Sequence, residues 1–282
     1  MRSPSAFYRL PHLVGSGSWH MAADEALLSW ASRGPTRLVF RTYAWNRPTL
    51  SLGRTERYPE GWDEGALERE GIAVARRPTG GGAVLHAEEV TFALAASVPG
   101  PWRLTPRGFS NRAAEALSAA LHACGLAGSR VAEESSRAVL DPAQRPDASS
   151  ARERTLCFAR SDPGEVEAKG YKVAGLASRF GRAGALCHAS VPLTRRSRSI
   201  AEFRTRSFRE REALEGHARS VGELLGAHPA ELESLGKAIA AALEAEISRR
   251  FHALLLPASL ADVGILEHPA AAVDAMAVPV AP

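Results

Sequence analysis

A glycine-rich stretch at residues 76–86, RRPTGGGAVLH, combines residue types that can bind a ligand. Three consecutive glycines lie between two arginines and a histidine. Glycine has no Cβ, so backbone N–H groups there can approach a ligand closely, and arginine can pair with a phosphate or a carbonyl oxygen. The pattern matches neither the dinucleotide-binding fingerprint nor the P-loop. The spacing alone is consistent with a ligand-binding loop and equally with a glycine-rich turn between strands.

The second candidate for chemistry is Cys157, which precedes Lys172 by fifteen positions. A thiolate is a good nucleophile, and a nearby ammonium group lowers the pKa of a thiol and so raises its thiolate fraction. From the residues alone, a buried core cysteine is the commoner outcome. The chain has three cysteines, an odd and sparse set that matches no disulfide framework and no zinc motif. This cysteine usage indicates a reducing, cytoplasmic setting.

The other two cysteines are predicted to be structural. Cys187 is followed directly by His188 in a strand-like segment, and successive strand residues face opposite sides of a sheet. The two side chains therefore cannot easily form a catalytic pair, and Cys187 is expected to pack within the sheet. Cys124 is expected in the core at a helix end. His86 is expected either to line a pocket or simply to end a strand.

Composition sets the class of protein. The 282 residues predict one large domain, with or without a small appendage, and the hydrophobic share of 45% and charged share of 23% are ordinary for globular proteins. The net charge of +4 suits an acidic protein partner as well as nucleic acid. No apolar run of about 18 residues could span a bilayer, and no apolar core of a signal peptide is present near the start, so no membrane association is expected.

Hydrophobic periodicity predicts an α+β fold with a mixed β-sheet and flanking helices. Gly170, between two strand-like segments, predicts a tight hairpin. A polar stretch at 138–154 is expected to be a mobile loop, and 269–282 a frayed tail. Helices are predicted at 20–33, 62–70, 109–124, 220–225 and 229–251, and strands at 37–43, 49–53, 72–76, 90–97, 155–159, 164–169, 171–178 and 185–193.

Four segments together resemble the biotin/lipoate protein ligase and octanoyltransferase superfamily. They are the glycine stretch continued as AEEVTF, MAADEALL at 21–28, RTYAWNRPTLSLG at 41–53 and KVAG at 172–175. The resemblance implies the catalytic-domain fold of that superfamily over 8–251, including a helical segment at 220–251, followed by an extension at 252–282. A DNA-binding repressor of the biotin-ligase type is disfavoured, since no helix-turn-helix segment precedes the catalytic region.

The resemblance also implies a site. In this superfamily an acyl chain lies in an apolar tunnel, the glycine-rich strand forms one wall, and the lysine of the KVAG motif reaches the acyl carbonyl. Carried over, Lys172 is that lysine, and an arginine of the glycine stretch meets the polar end of the donor. The implied substrate-binding residues are Arg76, Arg77, Thr79, Gly80, Gly81, Gly82, His86 and Gly175.

Within the superfamily, the Cys157-Phe158 pair followed by the lysine motif is similar to the cysteine-dependent octanoyltransferases. Those enzymes move octanoyl from acyl carrier protein onto the cysteine and then onto a lysine of a lipoyl domain. The resemblance implies Cys157 as nucleophile and Lys172 as its activating acid/base, without ATP, another cofactor or a metal. The implied acceptors are the glycine cleavage H protein or the acyltransferase subunit of a 2-oxoacid dehydrogenase, and no nucleic acid is involved.

Three alternatives remain open at this point: an ATP-dependent lipoate ligase, an octanoyl amidotransferase between lipoyl domains, and a catalytically silent acyl-binding homologue. The chain departs from the usual pattern in ways that change polar or small groups expected to shape the pocket. These departures lie at Glu56, Ala87, residues 176–178 and Ala189.

Overall fold

The computed structural model describes residues 6–133, 136–137, 160–161, 163–194, 199–205 and 218–265. The fold is α+β, a mixed β-sheet with flanking helices, as predicted. The helices are α1 (Gly17–Ser32), α2 (Glu64–Arg69), α3 (Pro106–Ala123), α4 (Val221–Leu225) and α5 (Leu232–Phe251). The strands are β1 (Ala6–Arg9), β2 (Leu13–Gly15), β3 (Arg37–Trp45), β4 (Thr49–Leu52), β5 (Ala73–Arg76), β6 (Val84–His86), β7 (Glu89–Ser97), β8 (Arg130–Val131), β9 (Ser136–Arg137), β10 (Arg160–Ser161), β11 (Val166–Ala168), β12 (Tyr171–Phe180), β13 (Gly184–Pro192) and β14 (Leu256–Pro257).

The main sheet has the strand order β14-β1-β3-β7-β13-β12-β11-β8, with β2 beside β3. Its centre, from β3 to β12, is antiparallel, whereas β1 pairs in parallel with both β3 and β14. Every residue of β7 and of β13 is buried. Such continuous burial requires cover on both faces of the sheet, which explains why these two segments read as unbroken apolar runs with few polar residues.

Helices cover the two faces of the main sheet. On one face, α3 and α5 pack on the sheet through a core that includes Phe92, Leu117 and Leu243. On the other face, α1 packs through a second core that includes Leu27 and Leu186. Asp24 and His188, described below, meet on the α1 side.

A smaller sheet with the order β5-β4-β6 holds the glycine-rich stretch. β4 pairs in parallel with β5 and antiparallel with β6, so residues 77–83 form the connection between two strands that both flank β4. A third apolar core, which includes Leu50, Trp62 and Leu85, packs this sheet against α2 and the 3-10 helix Ile200–Phe203. This arrangement fixes both ends of the glycine-rich connection.

The sequence predicted most elements to within a few residues, and their ends follow local capping. α1 starts before the predicted residue 20 because the Ser16 side chain accepts a hydrogen bond from the Trp19 N–H. α3 starts before residue 109 because Thr105 caps it and proline follows at the first turn. The predicted hairpin at Gly170 is confirmed, since Lys169 and Gly170 both have positive φ, 51° and 82°.

Several predictions fall partly or wholly outside the described residues. These are the strand at 155–159, the loop at 138–154 and the tail at 269–282. Part of the predicted extension is described: β14 pairs with β1, and Val263 is buried in the core under α1. The domain boundary at residue 251 stays a prediction. No helix in the described ranges is long and apolar enough to cross a bilayer.

Candidate active site

A pocket with about 410 Å³ of empty space, part of it open to solvent, lies between α1, the main sheet and the small sheet. Side chains from both sheets line it, so the wall is assembled from segments that are far apart in the chain. The lining residues are Met21, Tyr43, Trp45, Ser51, Arg77, Val84, His86, Thr91, Gly175, Leu176, Ala177, His188, Ala189 and Ser190.

Two chains of hydrogen bonds run through the polar part of this lining. In the first, here called the Glu89 relay, the Glu89 Oε1 atom lies 2.7 Å from His86 Nδ1, and His86 Nε2 lies 2.7 Å from Ser51 Oγ. All three residues are buried. A carboxylate accepts only, so His86 Nδ1 donates to Glu89 and leaves Nε2 for the hydrogen bond to the Ser51 hydroxyl.

The second chain, here called the Asp24 relay, repeats this order of groups. Asp24 Oδ2 lies 3.1 Å from His188 Nδ1, and His188 Nε2 lies 2.6 Å from Thr79 Oγ1. Asp24 also accepts from Arg41 Nη2 at 2.6 Å and from the Tyr43 hydroxyl at 3.1 Å. The relay therefore links α1, through a strand of the main sheet, to the glycine-rich connection.

The charges around Asp24 fix the protonation of its neighbours. Burial alone would raise the pKa of Asp24, but the Arg41 guanidinium and His188 outweigh it and hold that pKa below its usual value. Burial and the Asp24 carboxylate raise the pKa of Tyr43 well above its usual value, so its hydroxyl stays a donor. Burial and the adjacent Arg41 charge lower the pKa of His20 to about 3, which keeps that imidazole neutral.

Arg77 is the arginine that reaches the pocket, and its guanidinium organises the glycine-rich connection. It donates to the Gly80 carbonyl at 2.7 Å, the Gly82 carbonyl at 2.6 Å and the Ser51 carbonyl at 3.0 Å. Buried backbone carbonyls need such partners, and one planar guanidinium supplies several donors at fixed angles. Arg77 thus holds the connection in a single curved conformation against β4.

Arg76 points away from the pocket lining. Its Nη1 atom donates to the Gly53 carbonyl at 3.1 Å and to the Glu56 carbonyl at 2.7 Å, which closes the turn after β4. That turn touches the glycines directly: a Cβ on Gly53 would overlap the Gly81 carbonyl oxygen. Gly80 and Gly81 are exposed and Gly82 is half-buried. The three glycines therefore lie at the surface beside the pocket, with Gly53 packed beneath them.

The polar side chains of the lining use their hydrogen bonds on one another and on backbone groups. The remaining exposed wall is largely aliphatic and aromatic, with Met21, Val84 and Leu176 among the contributors. A pocket that is apolar in this way, with its polar groups already paired, suits a hydrocarbon chain better than a polar ligand. In the described ranges, no group of three His, Cys, Asp or Glu side chains is placed to hold a metal ion.

The comparisons with known proteins identify the family. A family model for the lipoyl protein ligase A/B catalytic domain matches residues 16–244. The chain belongs to this family. It is 34% identical over 246 residues to the octanoyltransferase LipM of Kyrpidia tusciae, covering 83% of this chain and 84% of that protein. That likeness places the chain in the octanoyltransferase branch, and the chain is an acyltransferase.

Solved structures share the fold at low sequence identity. Lipoate-protein ligase A bound with ATP matches with a TM-score of 0.63 and 19% identity, over 96% of this chain and 94% of that chain. A bi-partite lipoate protein ligase from Thermoplasma acidophilum, described with its E2 lipoyl domain, matches with a TM-score of 0.66 and 18% identity, over 97% of this chain and 92% of that chain. These matches establish the catalytic-domain fold of the family.

Within this family fold, Lys172 is completely buried at the start of β12. Its Nζ atom lies 2.6 Å from Glu165 Oε1, and its backbone carbonyl accepts from the Arg219 N–H at 3.0 Å. Gly175, three residues further along the same strand, lines the pocket, whereas Lys172 itself lies beyond the lining. Cys157 is outside the described residues. The predicted contact between its sulfur and the Lys172 amine therefore stays a prediction.

The two described cysteines are structural, as predicted. Cys187 is fully buried in the core under α3 and α5, and this burial raises the pKa of its thiol to about 12. His188, the next residue, faces the opposite side of the sheet and lines the pocket. Cys124 caps the C-terminal end of α3, and burial raises the pKa of its thiol as well. Neither thiol is activated as a nucleophile would be.

The remaining predicted residues divide between the pocket and its support. From the sequence, His86 is expected either to line a pocket or to end a strand, and in the structure it does both, at the end of β6. Thr79 lies behind the lining, bonded to His188. Among the departures from the usual pattern, Leu176, Ala177 and Ala189 line the pocket, so their effect is to make its wall more apolar.

Sequence reasoning missed the carboxylates that hold the site, Asp24 and Glu89, together with Ser51 and Glu165. One signal was available for part of this set: polar residues inside strands that are otherwise buried on both faces. Thr91, His188 and Ser190 are of this kind. A buried polar side chain requires a partner, so their positions mark the polar side of the pocket.

Proposed function

We propose that this protein transfers an octanoyl group from acyl carrier protein to a lysine of a lipoyl domain, through a thioester on Cys157, in lipoate assembly. The Cys157 thiolate attacks the thioester carbonyl of the donor, an S–C bond forms, and the carrier thiolate leaves and takes up a proton. The neutral amine of the acceptor lysine then attacks the new thioester. An amide forms, the Cys157 thiolate is released, and the amine proton passes to Lys172, which has supplied the proton taken up by the carrier thiolate. The donor is already activated, so the reaction balances without ATP.

The observation that carries this proposal is the pocket wall, in which the polar side chains are hydrogen-bonded among themselves and leave an apolar surface. An acyl chain of eight carbons gains free energy from each methylene that it buries, roughly 0.8 kcal/mol per CH₂. A protein with a net charge of +4 also fits carrier domains that are acidic. The 34% identity over 246 residues to the octanoyltransferase LipM of Kyrpidia tusciae also supports octanoyl transfer.

Lys172 has the role of activating Cys157 in this scheme. Its Nζ atom is buried and held by Glu165 at 2.6 Å, which fixes its position. A positive charge placed against a thiol favours the thiolate, and the same ammonium can donate to the oxyanion of the tetrahedral intermediate. The scheme requires Cys157 Sγ and Lys172 Nζ to meet at the end of the pocket in the reacting enzyme.

The acceptors we propose are the glycine cleavage H protein and the lipoyl domain of a 2-oxoacid dehydrogenase acyltransferase subunit. We place the reaction in the cytoplasm, where a free thiolate remains reduced.

A transfer assay with three donors tests the proposal. The purified protein and a lipoyl domain are incubated with octanoyl-acyl carrier protein alone, with octanoate and ATP, or with an octanoylated second lipoyl domain, and the acceptor is weighed by mass spectrometry. We expect modification with the first donor, its loss in Cys157→Ala, and its retention in the matched control Cys187→Ala. Modification only with ATP would identify a ligase, and modification only from the second lipoyl domain an amidotransferase.

Lys172 is tested against a nearby exposed lysine. Lys172→Ala should lower the transfer rate by about 10²- to 10⁴-fold, the range for loss of a general acid or base. Lys169→Ala, in the same hairpin, should leave the rate unchanged. Because Lys172→Ala leaves Glu165 buried without its ammonium partner, the pair Lys172→Met with Glu165→Gln provides a neutral version of the site. A near-normal rate in that folded double variant would remove Lys172 from the mechanism.

A further inference from the structure

We propose that Glu89 is the positioning residue that holds the wall of the acyl pocket and thereby sets which acyl-chain length is transferred. This inference rests on the proposed function, because it assumes that the pocket holds the acyl chain. Glu89 is buried, with an exposed fraction of 5%, and lies behind the lining of the pocket.

Four side chains in the described part of the chain donate to the Glu89 carboxylate, and all four line the pocket. Trp45 Nε1 at 3.1 Å, His86 Nδ1 at 2.7 Å and Thr91 Oγ1 at 2.6 Å donate to Oε1. Ser190 Oγ donates to Oε2 at 2.7 Å. Only an ionised carboxylate can accept from so many donors at once.

The four donors come from different strands. Trp45 is on β3, His86 on β6, Thr91 on β7 and Ser190 on β13. β6 belongs to the small sheet and the other three strands belong to the main sheet. The Glu89 carboxylate is therefore a direct tie between the two sheets that enclose the pocket.

Among these four donors, we expect a change at Glu89 to affect the orientation of Trp45 most. Glu89 and Thr91 hold the edge of its indole through Nε1, and the His86 ring stacks on its face, with centroids 4.0 Å apart and planes at 13°. His86 is oriented by Glu89 in turn. The indole N–H and the stacked His86 ring are thus both held in part by the Glu89 carboxylate, beside the Thr91 hydroxyl and the rings of His20 and Tyr43.

Glu89→Gln keeps the size of the side chain and reverses part of its chemistry. An amide presents one oxygen and an NH₂ group, and the NH₂ group would face donors that need an acceptor. We expect Trp45 and His86 to lose their fixed orientation while the surrounding core remains packed. The pocket would then discriminate less sharply between acyl chains that differ by two methylenes.

The test measures kcat/KM for hexanoyl-, octanoyl-, decanoyl- and dodecanoyl-acyl carrier protein. In Glu89→Gln we expect the octanoyl-to-decanoyl ratio to move at least fourfold toward unity, about the change in equilibrium that corresponds to one buried methylene. Leu243→Ala is the matched control, because it lowers stability from a core position on α5 that does not touch the pocket. It should lower the melting temperature and leave the ratio unchanged.

A double-mutant cycle asks whether Glu89 acts through Trp45. Trp45→Phe removes the Nε1 donor and should move the ratio in the same direction as Glu89→Gln. The effects of residues that share one interaction are not additive, so the double variant should resemble the larger single change. If Glu89→Gln does not fold, Trp45→Phe and Ser190→Ala can be tested instead, because each removes one donor to Glu89. Each should move the octanoyl-to-decanoyl ratio toward unity by a smaller amount.

Calorimetric titration with octanoic and decanoic acids separates failure of this inference from failure of the proposed function. If the wild-type protein binds octanoic acid but transfers no octanoyl from acyl carrier protein, the proposed function fails, and the binding ratio in Glu89→Gln still tests Glu89. A wild-type ratio in Glu89→Gln, or an equal shift in Leu243→Ala, would overturn the inference. A wild-type protein that neither binds these acids nor transfers octanoyl from acyl carrier protein would overturn both.

Discussion

The Asp24 relay and the Glu89 relay have the same order of groups but different surroundings. In each, a buried carboxylate orients a histidine that is in turn hydrogen-bonded to a hydroxyl. Asp24, a completely buried residue of α1, also pairs with the Arg41 guanidinium at 2.6 Å. The donors to Glu89 described above are an indole, two hydroxyls and an imidazole.

Because of this difference, we expect the Asp24 relay to contribute mainly to folding stability and the Glu89 relay mainly to acyl-chain selectivity. The Asp24 relay contains a buried ion pair and ends at Thr79, in the glycine-rich connection, so it anchors α1 to the loop beside the pocket. The Glu89 relay contains no such ion pair among the contacts described and ends at Ser51, on the pocket wall. We therefore expect changes at Asp24 to act mainly on folding, and changes at Glu89 mainly on the choice of acyl chain.

The largest expected effect is on folding, from Asp24→Ala. It leaves the Arg41 guanidinium buried without its carboxylate, and breaking a buried pair in this way costs about 3–5 kcal/mol. Glu25, the next residue, forms a half-exposed pair with Arg179 at 2.9 Å. Glu25→Gln should cost less than about 1 kcal/mol. Urea unfolding of both variants measures the loss in the free energy of unfolding. Equal losses in the two variants would show that Asp24 contributes no more to stability than Glu25 does.

The next largest expected effect is a loss of folding stability at low pH. It arises from His20, which contacts Arg41, the ion-pair partner of Asp24. His20 stacks on Tyr43 at 4.2 Å and accepts from Arg41 Nη1, and its pKa in the folded protein is about 3. The unfolded chain binds a proton at this group below about pH 6.5 and the folded protein does not, so stability falls as the pH falls from about 6.5 towards 3.

At pH 5 this group should cost about 2 kcal/mol relative to pH 7.5. His20→Gln, which keeps a donor toward the Ala44 carbonyl, should flatten that part of the profile, as measured by urea midpoints at the two pH values. Asp24 contributes in a lower window: its folded pKa is depressed, so its stabilisation is present above about pH 3.9 and is lost below it. An unchanged slope between pH 7.5 and 5 in His20→Gln would contradict the assignment.

The smallest expected effects separate the hydroxyl ends of the two relays. Thr79→Val leaves His188 Nε2 without its hydroxyl partner, a loss of about 1–3 kcal/mol for a buried group. Because Thr79 lies in the glycine-rich connection, KM for the carrier-bound donor should rise while the chain-length ratio stays constant. Ser51→Ala should change the chain-length ratio and leave KM for the carrier-bound donor constant, since Ser51 lines the pocket. Matching kinetic profiles for the two variants would show that the relays are not functionally distinct.

The sequence predicted the fold well because the fold depends on features that are local. Runs such as the one that forms β7 show their burial directly, and Gly170 marks its hairpin by the positive φ that it adopts. Arg77 and His86 could be found because they lie in one contiguous stretch. Asp24 and Glu89 could not be assigned, because their partners are up to 164 positions away in sequence and only the packing of two sheets and α1 brings them together.

The most direct test of the covalent mechanism is peptide mapping of the protein after a single exposure to octanoyl-acyl carrier protein with no acceptor. The mechanism predicts one octanoyl adduct, on Cys157, that hydroxylamine removes and that Cys157→Ser converts to a hydroxylamine-resistant ester or abolishes. An acceptor that becomes fully octanoylated by the Cys157→Ala protein, with no adduct on any cysteine of the wild type, would contradict the mechanism.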